Sequence, residues 1–182
     1  MICQKILKGK KANLRPLKIS DAHRWVNWLN DREVNQFLEI TRIDLKGEKK
    51  AILGMLKDKN NYQFAIETKD GIHIGGCGLK DIIRNGRCEL GIVIGDKNYW
   101  SAGYGTDVIG LLLKFGFERL NLKRIYLRCN KYNKRGIRCY KKCGFKHEGR
   151  LRKHIYRKGK FWDEIRMSIL INEYNKKYGK RK

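Results

Sequence analysis

The spacing of hydrophobic residues changes along the chain from a helical period to a strand period. Before Tyr62, apolar residues recur at helical spacing, which predicts two helices after one short strand. From Tyr62 onward, shorter apolar runs predict a meander of three antiparallel strands, with Asn85-Gly86 as a hairpin turn. The elements predicted here are a strand over Ala12–Leu17, a helix capped by Ser20, a helix over Asp44–Leu56, and strands over Tyr62–Glu67, Ile72–Leu79 and Arg87–Ile94.

The second half of the chain predicts alternating helices and strands. Gly103–Leu120 carries a broad apolar face, which is typical of a long helix. The remaining predictions are strands over Arg124–Cys129, Lys146–Tyr156 and Phe161–Ile171, and a helix over Asn133–Lys142 closed by Gly144. This order indicates an α+β (α/β) fold with one mixed sheet of about six to seven strands and about four flanking helices. Residues 1–182 are expected to form a single domain with a basic C-terminal tail from about residue 173.

The composition is ordinary for a globular domain. The chain has 182 residues, of which 41% are hydrophobic and 34% are charged. No apolar run approaches the roughly 18–20 residues that span a bilayer, and the N-terminus lacks the features of a signal peptide. We therefore expect a cytoplasmic protein that does not associate with membranes.

Cysteine and histidine positions predict no metal site. Cys139, Cys143 and His147 recur at four-residue steps, a spacing that places helix residues on one face. Gly144 is expected to end that helix before His147, however, and no fourth ligand stands nearby. Reduced thiols and no bound metal are therefore expected.

The net charge of +25 is unusually high and unevenly distributed. Sixteen Lys and Arg residues lie between Lys123 and Lys160, where Glu148 is the single acidic residue. Such a field attracts polyanions, so the charge suggests association with RNA or ribosomes, or with the phosphates of a cofactor. Solvated basic faces without a specific partner explain the same composition, and charge alone therefore assigns no function.

The most informative segment joins a strand to a helix. Trp100-Ser101-Ala102-Gly103-Tyr104-Gly105-Thr106 is a glycine-rich turn whose backbone N–H groups, together with the helix N-terminus, favour a phosphate group. The alternative interpretation is an ordinary loop before a helix, without phosphate binding. The P-loop pattern G-x-x-x-x-G-K-[ST] is missing, as is a dinucleotide-binding G-x-G-x-x-G with its acidic partner.

Several sequence motifs resemble those of the GNAT acetyltransferases, specifically the RimJ/RimL branch, and they occur in the same order along the chain. The glycine-rich turn resembles the family's R/Q-x-x-G-x-G/A signature, although Trp100 stands where Arg or Gln is commoner. The other matching segments are Leu14–Leu17, Cys88–Ile92, Asn133–Phe145, and Glu148–Arg152 followed by Gly159 and Asp163. The resemblance covers almost the whole chain and implies a mixed-sheet GNAT fold that acts as a monomer or homodimer.

The resemblance implies acetyl-CoA as co-substrate and assigns its contacts. The free backbone groups of Ile92, Val93 and Ile94 are expected to pair with the pantetheine arm, and a backbone N–H near Ile92 or Val93 to stabilise the oxyanion. Asn133 resembles the family's asparagine that bonds the same arm, although it is equally placed to cap a helix. The pyrophosphate is assigned to Trp100, Ser101, Ala102, Gly103, Tyr104, Gly105 and Thr106.

Two residues are candidates for catalysis by direct transfer. Glu89 lies in an otherwise apolar strand and is a candidate base for the amine, unless it faces solvent or forms an ion pair. Tyr140 matches the family tyrosine that donates a proton to the CoA thiolate, unless it is a core residue.

The acceptor is the least determined part of the prediction. The RimJ/RimL likeness favours the N-terminal amine of a protein, such as a ribosomal protein. A small-molecule amine (an amino sugar, an antibiotic or a polyamine) is the alternative. The charge of +25 disfavours a polyamine, although a local acidic pocket could overcome that repulsion. A more distant alternative is a basic module that binds RNA or ribosomes without catalysis.

Overall fold

The computed structural model describes residues 6–38 and 43–179, which fold around one eight-stranded sheet. The strands are β1 (Leu7–Lys8), β2 (Ala12–Pro16), β3 (Tyr62–Thr68), β4 (His73–Lys80), β5 (Arg87–Ile94), β6 (Arg124–Asn130), β7 (Lys146–Arg157) and β8 (Lys160–Leu170). The helices are α1 (Ala22–Asn30), α2 (Arg32–Asn35), α3 (Leu45–Lys57), α4 (Tyr104–Lys114), α5 (Lys134–Lys142) and α6 (Ile171–Tyr178). The sheet order is β1-β2-β3-β4-β5-β6-β8-β7, and only β5 and β6 pair in parallel.

Helices cover both faces of the sheet, because successive strand residues point to opposite sides. On β3, Phe64 and Ile66 point into the main core, which they share with Ile109 and Leu112 of α4. Ala65 between them points to the other side, into a smaller cluster formed by α1 and α3. Burial on both faces therefore fixes which residues of each strand belong to each layer.

The parallel strands β5 and β6 pair for only three residues and then separate. Arg87, Cys88 and Glu89 pair with Arg124, Ile125 and Tyr126, and no pairing follows. On its other edge, β5 stays paired with β4 as far as Ile94. The backbone edge of β5 from Leu90 onward is therefore available at an opening in the middle of the sheet. The predicted separation near Ile92–Ile94 begins two residues earlier than expected.

The helix predicted over Gly103–Leu120 changes its winding near its end. It is α-helical over Tyr104–Lys114 and continues as a π-helical turn over Phe115–Arg119. Gly116 lies against the sheet here, where a Cβ atom would come within 2.6 Å of Ile125 Cδ1. Close packing of the turn on β6 accompanies this change, which a periodic pattern does not predict.

Two helices and one strand were not predicted. The strand β1 has two residues and α2 has four, lengths too short for a periodic signal. Residues 171–178, which overlap the basic tail expected from about residue 173, form α6. Tyr174 in α6 is buried beside Phe117, with ring centroids 4.9 Å apart, and its hydroxyl donates to Glu118 over 2.7 Å. Tyr174 therefore anchors this helix to the core, and Tyr178 adds a hydrogen bond from its hydroxyl to Cys143 O over 3.0 Å.

Candidate active site

A cavity of about 650 Å³ occupies the opening between β5 and β6. It reaches both faces of the sheet, since its lining includes residues from α4 and α5 on one side and from the α2 region on the other. The charged side chains that line it are Lys80, Glu89, Arg128, Arg135, Arg138, Lys142 and Glu164. We call the α4–α5 side the cofactor half and the α2 side the acceptor half.

The glycine-rich turn forms one wall of the cofactor half. Gly103 has φ +88° and caps the N-terminus of α4, a conformation that favours glycine. Trp100 donates its indole N–H to the carbonyl of Ile94 over 2.7 Å, which fixes the turn against the end of β5. The first turn of α4 therefore presents backbone N–H groups and partial positive charge to the cavity.

One face of α5 forms the opposite, cationic wall. Arg135, Arg138 and Lys142 follow helical spacing and all line the cavity. The Arg135 guanidinium stacks 3.5 Å above the Trp100 ring centroid. Burial lowers the pKa of Arg135, but the guanidinium keeps its charge because arginine is not deprotonated in proteins. Asn133 begins the helix by accepting the N–H of Gly136 over 2.9 Å, so it is both an N-cap and a cavity residue.

Tyr140 lies between this wall and the core. Its side chain is buried in the main core and also lines the cavity. Burial is the largest influence on the phenol and raises its pKa, with the nearby thiols adding to the effect. Tyr140 is therefore protonated at neutral pH and chemically able to give up a proton.

Glu89 faces the acceptor half. It is only 6% exposed and points away from its neighbours Cys88 and Leu90, which belong to the main core. Arg128 donates its Nε–H to Glu89 Oε1 over 2.9 Å, and Lys80 Nζ lies 3.4 Å from the same oxygen. The ion pairs agree with one sequence interpretation of Glu89, and because the residue also lines the cavity its role as a base stays a prediction.

The acceptor half is covered by the end of α2 and the residues after it. Val34, Phe37 and Leu38 line the cavity there. Three side chains at or just after the ends of β6 and β7 donate hydrogen bonds to the backbone of this segment. Tyr132 donates its hydroxyl to Gln36 O over 2.6 Å, Asn130 donates Nδ2–H to Phe37 O over 3.2 Å, and Arg157 donates to Leu38 O. These hydrogen bonds hold the segment over the side of the cavity that Glu89 lines, and we call this segment the roof.

Comparison with known proteins decides the family. The family model of the GNAT acetyltransferase domain matches residues 11–146, about three quarters of the chain. The chain belongs to this family. It is an N-acetyltransferase, and its sheet with a central opening is the fold of the family.

Relatives of the acetyltransferase are similar over most of their length. The uncharacterized N-acetyltransferase p20 of Bacillus licheniformis is 29% identical over 175 residues, covering 92% of this chain and 97% of the relative. The spermidine N(1)-acetyltransferase of Escherichia coli (strain K12) is 32% identical over 120 residues, covering 65% of this chain and 63% of the relative. The spermidine N-acetyltransferase of Vibrio cholerae, solved with CoA and spermine, is 26% identical with a TM-score of 0.82, covering 90% and 97%.

The cavity collects most of the residues predicted for the cofactor. Those that line it are Ile92, Val93, Ile94, Trp100, Ser101, Gly103, Gly105, Thr106 and Asn133. Ala102 and Tyr104 do not line it, and their assignment to the pyrophosphate, which was made for the backbone N–H groups of the turn, stays a prediction. Ala102 is exposed, and the Tyr104 ring packs against the main core with its centroid 5.2 Å from that of Tyr99.

Several cavity residues of the acetyltransferase were missed by sequence reasoning. Arg135, Arg138 and Lys142 share one face of a predicted helix, so their spacing alone contained a usable signal. No periodic spacing links Asn130 with Glu164, because the two residues are 34 positions apart in the sequence. They meet only through the register of β6 with β8.

Two further findings concern metals and membranes. Cys139 lies in α5 and Cys143 caps its C-terminus, whereas His147 belongs to β7. In residues 6–38 and 43–179 no three His, Cys, Asp or Glu side chains are grouped to hold a metal ion. Within the same ranges no helix combines the length and apolar character needed to cross a membrane.

Proposed function

We propose that this acetyltransferase transfers the acetyl group of acetyl-CoA to the primary amine of a small molecule. The observation that carries the proposal is the roof over the acceptor half, where Tyr132, Asn130 and Arg157 tie residues 35–38 across the sheet. A covered cavity of about 650 Å³ has the size of a small-molecule site, and a polypeptide acceptor would have to pass beneath the roof. The spermidine acetyltransferases among its relatives also support a small-molecule acceptor.

The net charge is the main argument against a cationic acceptor. A field of +25 slows the approach of a cation, as the sequence already indicates. Glu89 and Glu164 nevertheless place two buried carboxylates in the cavity, where burial strengthens their local effect. The rival proposal is the acceptor that the RimJ/RimL resemblance implies, which is the N-terminal amine of a protein.

The cofactor half fits acetyl-CoA. Its phosphates would lie at the N-terminus of α4, where the positive φ of Gly103 exposes the backbone, and beside Arg135, Arg138 and Lys142. The pantetheine arm would pair with the open edge of β5 at Ile92–Ile94, next to Asn133. Acetyl-CoA supplies an activated acetyl thioester and a thiolate leaving group.

The chain's own residues then handle two protons. Glu89 accepts the proton of the acceptor ammonium, directly or through one water, so that a neutral amine can attack. Arg128 and Lys80 hold its carboxylate in position on the acceptor side. Tyr140 gives its phenolic proton to the departing thiolate from the cofactor side, and the second proton that the nitrogen loses as the amide forms restores the phenol through solvent. The opening between β5 and β6 lets the two residues act on one reaction from opposite faces of the sheet.

The test is an acetyl-transfer assay with two acceptor classes. Purified protein is incubated with acetyl-CoA and either small amines or peptides with free N-termini, and CoA release is measured with the product mass. Transfer to small amines is expected, with Glu89→Gln lowering kcat about 100-fold. Glu148→Gln, which removes a carboxylate outside the cavity, is the matched control. Transfer to peptides alone would support the rival acceptor and overturn this proposal.

A further inference from the structure

Two buried oxygen atoms in the acceptor half lack hydrogen-bond donors. Among the described residues, Asn130 Oδ1 and Glu164 Oε1 are buried and accept no hydrogen bond. Asn130 is 5% exposed and Glu164 is 1% exposed, and both line the cavity. A buried acceptor without a donor costs about 1–3 kcal/mol, more when it is charged, so two in one wall need an explanation.

Strand register makes these two atoms neighbours. Asn130 of β6 pairs directly with Glu164 of β8, which points both side chains to the same face with Cβ atoms about 5 Å apart. Asn130 already donates Nδ2–H to Phe37 O over 3.2 Å, so its amide is oriented with Oδ1 as the unused atom. Reversing the amide would bring two oxygen atoms together. The pair therefore presents acceptors only.

Arg166 compensates part of the Glu164 charge without filling this need. Its Nε lies 2.6 Å from Glu164 Oε1, close enough for an ion pair, but the N–H is not aligned for a hydrogen bond. The Arg166 side chain is also one-third exposed, which weakens its hold on the carboxylate. Oε1 therefore has a charged neighbour but accepts no aligned hydrogen bond.

An ammonium group matches this pair of acceptors. It has three N–H donors and no acceptor, and its charge complements the carboxylate. A carboxylate or carbonyl of a ligand would instead meet two oxygen atoms. The chemistry of the wall therefore selects a cationic amine.

The pair lies away from the other cavity carboxylate. Glu89 is level with Tyr126 of β6, whereas Asn130 lies four residues further along that strand, a separation of about 13 Å. A separation of this order between the backbone positions favours two ammonium groups over one. A chain with an amine at each end can place one amine near Glu89 while the other reaches Asn130 and Glu164.

We propose that Asn130 and Glu164 form the subsite for a second ammonium group of the acceptor. This inference rests on the proposed function, and it narrows the substrate class to long diamines or polyamines. The reacting amine lies near Glu89, and the distant ammonium ion donates hydrogen bonds to Asn130 Oδ1 and Glu164 Oε1.

The experiment compares α,ω-diamines with alkyl monoamines of equal chain length. For a long diamine, Glu164→Gln should raise KM about tenfold or more with kcat little changed, since a charge-assisted contact is lost. For the monoamine, the same substitution should change kcat/KM less than about twofold. Glu164→Asp should recover part of the diamine effect, and Glu148→Gln should behave as wild type with both acceptors.

Calorimetric binding of the diamine in the presence of CoA gives a readout independent of turnover. Wild-type protein should bind the long diamine at least about tenfold more tightly than Glu164→Gln does. Equal loss with monoamine and diamine, or no loss with either, overturns the subsite and leaves acetyl transfer to small amines intact. A change in thermal stability without any dependence on the acceptor indicates that only water fills the pair, and it also overturns the subsite. Failure of the wild type to acetylate any small amine overturns the proposed function itself.

Discussion

The two halves of the cavity differ in how their charges are paired. In the cofactor half, Arg135, Arg138 and Lys142 have no ion-pair partner in the part of the chain that the structure describes. In the acceptor half, Lys80 and Arg128 both contact Glu89, and Arg166 lies beside Glu164. The remaining buried acceptors there are oxygen atoms. One half therefore offers positive charge to an anion, and the other offers oxygen atoms to a donor.

The halves also differ in how the chain builds them. The cofactor half comes from one glycine-rich turn and one helix, each a continuous segment. The acceptor half comes from β4, β5, β6 and β8 together with the roof after α2, and strand pairing brings its strand residues together. Local segments hold the cofactor side, so substitutions there should weaken acetyl-CoA binding. Substitutions in the acceptor half should change the choice of amine.

The largest expected effect lies at the junction of the halves. Tyr140→Phe removes the proton donor while keeping the buried ring, so kcat should fall about 100-fold with little change in the KM for acetyl-CoA. Steady-state CoA release measures both constants. Tyr156→Phe, at an exposed position, serves as the control and should keep full activity. Wild-type kcat in Tyr140→Phe would remove Tyr140 from the mechanism.

A backbone substitution tests the cofactor half alone. Gly103→Ala places a side chain at φ +88°, a conformation that costs roughly 1–2 kcal/mol, and should raise the KM for acetyl-CoA up to about tenfold. Gly110→Ala in the same helix is the matched control, because no atom lies within 4 Å of its added Cβ. The control should keep normal kinetics and gain up to about 1 kcal/mol of stability in a thermal melt. Equal kinetics in both variants would contradict the role of the turn.

The unpaired cations of α5 are expected to act on the cofactor and not on the acceptor. Arg138→Ala removes a guanidinium that lines the cofactor half, and should raise the KM for acetyl-CoA about fivefold while the KM for the amine stays unchanged. Lys134→Ala, in the same helix but outside the cavity, is the control. A rise in the amine KM alone would reverse the assignment of the two halves.

The smallest expected effect is a change in the alkylation rate of Cys139, which reports whether acetyl-CoA occupies the cofactor half. A hydrogen bond with Cys143, and another with Thr106, lower the pKa of Cys139, whereas burial raises the pKa of Cys88 to about 12. Near pH 7, Cys139 should therefore react with iodoacetamide before Cys88, as read by peptide mass, and more slowly as the pH falls. Acetyl-CoA at twice its Kd should slow this about threefold, because one third of the sites are then empty. An amine acceptor alone should give no protection, and protection by it would place the acceptor in the wrong half.

The fold could be predicted well from sequence, apart from its shortest elements. β5 was predicted with its observed bounds, since its apolar run is long and the Asn85-Gly86 turn marks its start. α2 and α6 were missed because four residues, or one buried tyrosine, produce no clear period. Association with RNA or ribosomes, suggested by the basic segment from Lys123 to Lys160, stays a prediction.

The sequence by itself determined the family, the glycine-rich turn, and the candidates Glu89 and Tyr140, because each depends on neighbours along the chain. The tertiary structure alone decided what surrounds them. It joined Glu89 to Arg128 across two strands and brought Asn130 beside Glu164. It also packed the Tyr104 ring against the main core. The reason is physical: strand register and the separation of β5 from β6 result from packing on both faces of the sheet, and no local pattern records them.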